Sequence, residues 1–375
     1  MQIAGSRSRT RIAAVSLAAA GGLLLAGCAG SGPVGGDAGD VAADRASLSG
    51  TASGAGATSA QVAMQTWIAG FTADHADASI AYQPIGSGAG LDQFADGKVD
   101  FAASDESFSG AALAKANARC GGEIVQVPLY VSPIAVVHNL RGVDGLQLAP
   151  ATLAGIFDRK ITSWNAPEIA ADNPGKALPQ QPITTVSRSD RSGTTQNFAE
   201  YLKAAAGFAA WPHEVNDTWP VQGGVAGDGT SGVVQGVSTR DGAIGYADAS
   251  QAGSLGTAKI KVGNEYVGPS TDAAAKVLES SKRADGQGRY SFSFTLARDT
   301  TASGTYPVVL VSYGIACAKY PNFAKAELVK GVFTYLASAQ GQEAAAKASG
   351  SAPLSEALRA QITPAVEAIS AGSPS

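Results

Sequence analysis

The sequence predicts an α/β fold, on three observations. Short runs rich in β-formers alternate with stretches whose apolar residues recur at helical spacing, the pattern of sheets covered by helices. Hydrophobic residues make up 45% and charged residues 15% of the 375, which is enough apolar surface for a packed core. Gly, Asn, Pro and Ser punctuate the boundaries between the two patterns, and no internal repeat is visible.

The first element to account for is not part of the fold. Arg7, Arg9 and Arg11 precede an uncharged apolar run from Ile12 to Gly27. That run is shorter than the ~20 residues a spanning helix needs, so residues 1–27 read as an export signal. It closes on Leu25-Ala26-Gly27-Cys28, which resembles the lipobox of bacterial lipoproteins. In that reading Cys28 is lipidated and becomes the mature N-terminus, and residues 28–50, dominated by Gly, Ala, Ser and Asp, form a flexible tether. Removing three Arg and no acid leaves 27 − 3 = 24 basic against 31 acidic residues, a formal charge of −7. That balance argues against a nucleic-acid surface, and any bound anion must be held by local groups.

Along the body, Met64, Trp67, Ile68 and Phe71 make a helical stripe. Ser79–Tyr82 reads as a strand, Leu91 and Phe94 mark a helix, and Asp100–Ala103 reads as a second strand. Val125–Val127, Ile134–Val137 and Ile183–Val186 are β-rich. Thr195, Phe198 and Leu202 lie on one helix face. Ala243–Ala247 and Val308–Val311 are short strands, and Phe323–Leu336 and Gly341–Ala348 are helices. Cys120 and Cys317 remain after export. An even pair in an exported chain suggests a disulfide, the alternative being two buried thiols. Trp67, Trp164, Trp211 and Trp219 read as core or surface packing residues.

Three segments share one design, a small-residue turn running into a helix. They are Gly54-Ala55-Gly56-Ala57-Thr58-Ser59, Gly86-Ser87-Gly88-Ala89-Gly90 and Arg188-Ser189-Asp190-Arg191-Ser192-Gly193-Thr194-Thr195. A helix N-terminus exposes unpaired N–H groups and partial positive charge, so it attracts anions, and Ser and Thr add hydroxyl donors. Singly, each segment is ordinarily just an N-cap. Together, with Arg188 contributing a fork of donors, they suggest an oxyanion site. Asp105 adds a carboxylate at a strand end. No metal-ligand cluster and no Gly-Lys-Ser/Thr phosphate loop is visible, and Gly86-Ser87-Gly88 lacks the spacing of a nucleophile elbow.

These stretches resemble those of the periplasmic phosphate-binding proteins, the substrate-binding subunits of phosphate-specific ABC importers, and look closest to the actinobacterial type. The resemblance is carried by residues 54–58, 82–90 and 100–105, by Ile-Thr-Ser-Trp-Asn at 161–165, by 188–195 and by Gly-Ala-Ile-Gly-Tyr at 242–246. They occur in the family's order and span nearly the whole mature body.

The resemblance implies the two-lobed periplasmic-binding-protein fold, the Venus flytrap of class II, with two chain crossings at the hinge. Lobe I would hold 51–128 plus 310–375 and lobe II 129–309. It implies phosphate ligands at Thr58, Ser59, Ser87, Asp105, Arg188, Ser192, Gly193 and Thr194, with Asp190 orienting Arg188. Ser59 stands where many members carry Phe. Arg191 falls at a variable position and is expected in solvent. A Cys120–Cys317 bond would lie within lobe I.

The implied protein is a monomer without cofactor or enzymatic activity. It would be exported and held by lipid at the outer face of the cytoplasmic membrane, delivering inorganic phosphate to the permease subunits of an ABC importer. The alternatives are a binder of another tetrahedral oxyanion such as sulfate or molybdate, a phosphate sensor, and, more remotely, a serine phosphohydrolase.

Overall fold

The computed structural model describes residues 47–284 and 288–372; the export signal, Cys28 and nearly all of the tether lie outside the described residues. Nine strands of one mixed sheet organise the body. In chain order they are β1 Gly50–Gly56, β2 Ala78–Pro84, β3 Phe101–Ser104, β4 Ile124–Asn139, β5 Thr184–Arg188, β6 Val225–Gly227, β7 Ala243–Asp248, β8 Gly256–Thr257 and β9 Val309–Cys317. They lie side by side as β2-β1-β3-β9-β4-β7-β5-β6, with β8 also on β4.

Helices cover this sheet. They are α1 Gln61–Asp74, α2 Ser87–Ala95, α3 Gly110–Arg119, α4 Pro150–Phe157, α5 Pro167–Asp172, α6 Gly193–Tyr201, α7 Gly229–Ser238, α8 Thr271–Glu279, α9 Phe323–Ala337, α10 Ala339–Ser349 and α11 Glu356–Glu367. The α/β expectation therefore holds. No helix among the described residues is long and apolar enough to cross a membrane.

The two β-rich runs at 125–127 and 134–137 are one strand. β4 pairs antiparallel with β9 from Ile124 to Pro133 and with β7 from Ile134 to Asn139. It is buried along nearly its whole length, so no solvent-facing residues interrupt its apolar pattern. The β4–β9 register shifts between Ser312 and Tyr313, a bulge where the strand changes twist.

β1 was not legible in the sequence, and it begins at Gly50, inside the stretch read as tether. Its residues, Gly-Thr-Ala-Ser-Gly-Ala-Gly, have little β-propensity. Packing demands them instead. A Cβ on Gly56, at φ +142°, would sit 1.8 Å from the Ala103 carbonyl oxygen, and one on Gly90 of α2 would sit 2.3 Å from the Gly56 Cα. Helix α2 thus presses on bare backbone, which only glycine permits.

Apart from a smaller cluster that packs Val233 and Val237 of α7 against Val186 of β5 and Ala243 and Ala247 of β7, the core is one connected body. Trp67 and Phe71 of α1 pack in it with Tyr130, Phe101 and Phe333. All four tryptophans are buried. Phe198 of α6 stacks on Tyr246 and Trp219, with Phe157 edge-on, which locks the helix carrying the third turn segment.

Cys120 and Cys317 are joined by a disulfide that closes a sequence separation of 197 residues, tying the end of α3 to the end of β9. Such a cross-link restricts the unfolded chain. Replacing both by Ser is expected to lower stability by roughly 2–5 kcal/mol. Urea unfolding with and without reductant checks this: reductant should shift the wild-type midpoint and leave the double variant unmoved.

Candidate anion-binding site

The three turn segments converge on Asp105. Ser59 Oγ donates to both of its carboxylate oxygens at 2.8 Å, and Thr194 Oγ1 donates to Oδ2 at 2.9 Å. Ser312 Oγ, from β9, donates to Oδ1. The Asp105 backbone N–H donates to Ser87 Oγ at 3.1 Å. Asp105 is 4% exposed. Burial pushes its carboxyl up, while the Ser312, Ser59 and Thr194 hydroxyls and the Arg188 charge pull it down.

Neither of the first two segments caps its helix with a side chain. The N-caps of α1 and α2 are Ala60 and Gly86, and no side chain bonds to the first-turn amides. Thr58 and Ser59 are left for other work. Ser192 is different: its Oγ accepts the Thr195 N–H as an ordinary cap, and its hydroxyl proton remains free to be given. Gly193 is required by space, since a Cβ there would lie 2.7 Å from both Asp105 Cβ and Ser87 Oγ.

Arg188 ends β5 and is 4% exposed. Its Nε donates to Asp190 Oδ1 at 2.7 Å and its Nη2 to Asp190 Oδ2. This pairing fixes the plane of the guanidinium and leaves Nη1 without an acceptor among the described residues. The Arg188 N–H donates to Tyr246 Oη at 3.3 Å, and Tyr246 also bonds Thr195 Oγ1 at 2.7 Å, which ties the strand end to α6. Arg191 is half exposed, yet it pairs with Asp217 at 2.6 Å and with Asp92 of α2 at 2.7 Å.

Sequence reasoning missed several residues here. Thr230 N–H donates to Thr58 Oγ1 at 3.1 Å, and the two hydroxyls lie 2.9 Å apart. Gly229 N–H donates to Asp190 Oδ1 at 3.1 Å. The signal was present, for Gly227-Asp228-Gly229-Thr230 is a fourth small-residue turn running into a helix, α7. Gln251 Nε2 reaches the Thr58 carbonyl at 2.9 Å, and Asn197 Nδ2 the Asp105 carbonyl at 2.7 Å. These two, and Ser312, have no local signature.

The model of the PBP superfamily domain matches residues 41–340. The chain is 35% identical to the phosphate-binding protein PstS2 of Mycobacterium bovis, over 96% of this chain and 98% of that one. The chain belongs to the phosphate-binding protein family. Another family relative, the phosphate-binding protein PstS of Xylella fastidiosa, is 33% identical over 70% of each chain. Among solved structures, the fold is shared with a high-affinity periplasmic phosphate-binding protein crystallised with phosphate, at a TM-score of 0.68 and 22% identity over 85% of this chain and 93% of that one. It is shared too with a putative phosphate ABC transporter substrate-binding protein from Clostridium perfringens, at a TM-score of 0.58 and 20% identity over 82% and 100%. The curated relatives are named as binding proteins, not as enzymes.

Beside the site, Glu106 lines a polar cavity of about 60 Å³ with Glu200, Asn197 and Arg298. Its Oε1 is buried without a partner. Burial first, then the Asp217 charge, pushes its carboxyl from 4.5 up to about 7. A raised acid contributes stability that is fully present below its unfolded value and is lost as pH rises through the folded one. The loss therefore runs from about pH 4.5 to about 7. Glu106→Gln is expected to gain roughly 2–3 kcal/mol over wild type at about pH 8 and almost nothing at about pH 4. Urea unfolding at the two pH values measures it, and equal gains at both would refute the assignment.

Proposed function

We propose that this chain binds inorganic phosphate between the Thr58–Ser59, Ser87 and Asp105 cluster and the Arg188, Ser192, Gly193 and Thr194 cluster, and delivers it to the permease subunits of an ABC importer. The observation that carries this reading is the buried Asp105 carboxylate set among hydroxyl donors, with Arg188 contributing to its electrostatics. Phosphate near neutral pH keeps a proton that Asp105 can accept. Fully ionised sulfate has none, and two acceptors facing each other in a desolvated site are penalised.

The two-lobe division, 51–128 plus 310–375 against 129–309, belongs to this proposal. It is supported by the change of partner along β4, from β9 to β7. Thr194–Asp105, Thr230–Thr58 and Gln251–Thr58 would then be contacts across the cleft. An anion bound among these groups would favour the closed form. A transporter could read that closure. The proposed place of work is the outer face of the cytoplasmic membrane, with lipid on Cys28 as the anchor.

A serine hydrolase needs a base beside its nucleophile. His75 accepts from the Leu48 N–H, His213 lies 2.5 Å from the Asp158 carboxylate, and buried His138 is pushed down to about 4. None touches Ser87 or Ser192. Turnover of a chromogenic phosphate ester, lost on Ser87→Ala, would overturn the non-enzymatic reading. The primary test is calorimetric titration of the purified protein with phosphate and with sulfate near neutral pH. One-to-one phosphate binding without sulfate heat is expected, whereas sulfate binding, or neither, would sink the proposal.

A further inference from the structure

We propose that Ser312 is a positioning residue that holds Asp105 in its acceptor state and so sets how strongly the site prefers phosphate over sulfate. This rests on the phosphate reading of the site.

Ser312 lies outside every segment that the sequence marks for anion contact. It sits inside β9, 2% exposed, opposite Tyr130 of β4 at the register shift. A bulge re-aims the side chains beside it. Here the Ser312 hydroxyl has one hydrogen-bond partner, Asp105 Oδ1.

Hydrogen-bond capacity explains why that contact matters. An ionised carboxylate only accepts, so three hydroxyls from three elements must all donate to it. Ser59 and Thr194 belong to the anion-facing turns and can turn their protons towards a ligand. Ser312 faces Asp105 from the strand side and can satisfy the carboxylate whether or not a ligand is present. Bonds donated to the charged form favour it, against the burial that opposes it. The other charged and titratable groups around Asp105 are Arg188 from β5, Tyr82 from β2, the neighbouring Glu106, and Glu200, Arg298 and Tyr313, which line one cavity with it.

Without the Ser312 hydroxyl, Asp105 takes up a proton more readily. A protonated carboxyl donates a hydrogen bond, so it would welcome sulfate and offer less to the phosphate proton. The preference for phosphate should then fall, and fall further as pH drops.

The test is calorimetric titration with phosphate and with sulfate from about pH 5.5 to about pH 8, on wild type, Ser312→Ala and Ser312→Thr. The expected loss of preference in Ser312→Ala is about tenfold at the acid end and smaller at the alkaline end, the scale of one hydrogen bond to a charged group. Ser312→Thr should restore the wild-type profile. A preference unchanged at every pH, or equal weakening towards both anions at every pH, overturns the proposal.

Infrared spectra of the ligand-free proteins give a second readout. The protonated-carboxyl band, assigned by its loss in Asp105→Asn, should persist to higher pH in Ser312→Ala. If wild type binds neither anion, the phosphate reading fails, and this band alone decides the role of Ser312. Should Ser312→Ala not fold, the near-isosteric Ser312→Cys, a weaker donor, should show the same shift in smaller measure, and its absence counts against the proposal.

Discussion

Arg188→Ala is expected to weaken phosphate binding on the order of 10²–10³-fold, the larger share in faster release. The guanidinium is almost fully buried and held by Asp190 through Nε and Nη2. Truncation removes the fixed cation and leaves the Asp190 carboxylate, with 15% of its side chain exposed, beside the anion with the Gly229 N–H as its remaining donor. Removing one partner of a buried, hydrogen-bonded charge pair typically costs about 2–5 kcal/mol. Arg188→Lys should recover only part of the loss, because a single ammonium cannot hold Asp190 with a fork and still present a further donor. Calorimetric titration measures the change, with circular dichroism to establish folding. Affinity within threefold of wild type would remove Arg188 from the anion site.

Asp105→Asn is expected to change which anion binds more than how tightly the site binds overall. The amide offers donors where the carboxylate had none, so sulfate gains a partner and the phosphate proton loses its best acceptor. The expected change in relative affinity is about 10- to 100-fold, as for one hydrogen bond to a charged group made or left unmade. Ser59 and Thr194, which both donate to the carboxylate, can turn their hydroxyls to suit the amide oxygen, so the variant should fold. Paired titrations with phosphate and sulfate at about pH 8 decide it. Sulfate rejection as complete as in wild type would place selectivity elsewhere in the cleft.

What the sequence carried by itself was local. The stripe of Met64, Trp67 and Phe71 specifies α1 because side chains three and four residues apart share a face whatever lies beyond. Small residues before α2 and α6 marked backbone that other segments of the chain approach closely, and the same mark at 227–230 was there to be read. Only the tertiary structure decided the rest. β1 is a strand because neighbouring strands and α2 press on its bare glycines, not because its residues favour extension. Ser312, Asn197 and Gln251 reach the site through hydrogen bonds spanning 207, 92 and 193 residues of chain. Short-range patterning records propensity and caps; it holds no trace of which distant strand will bring a hydroxyl to a buried carboxylate, because that depends on how the whole sheet is ordered.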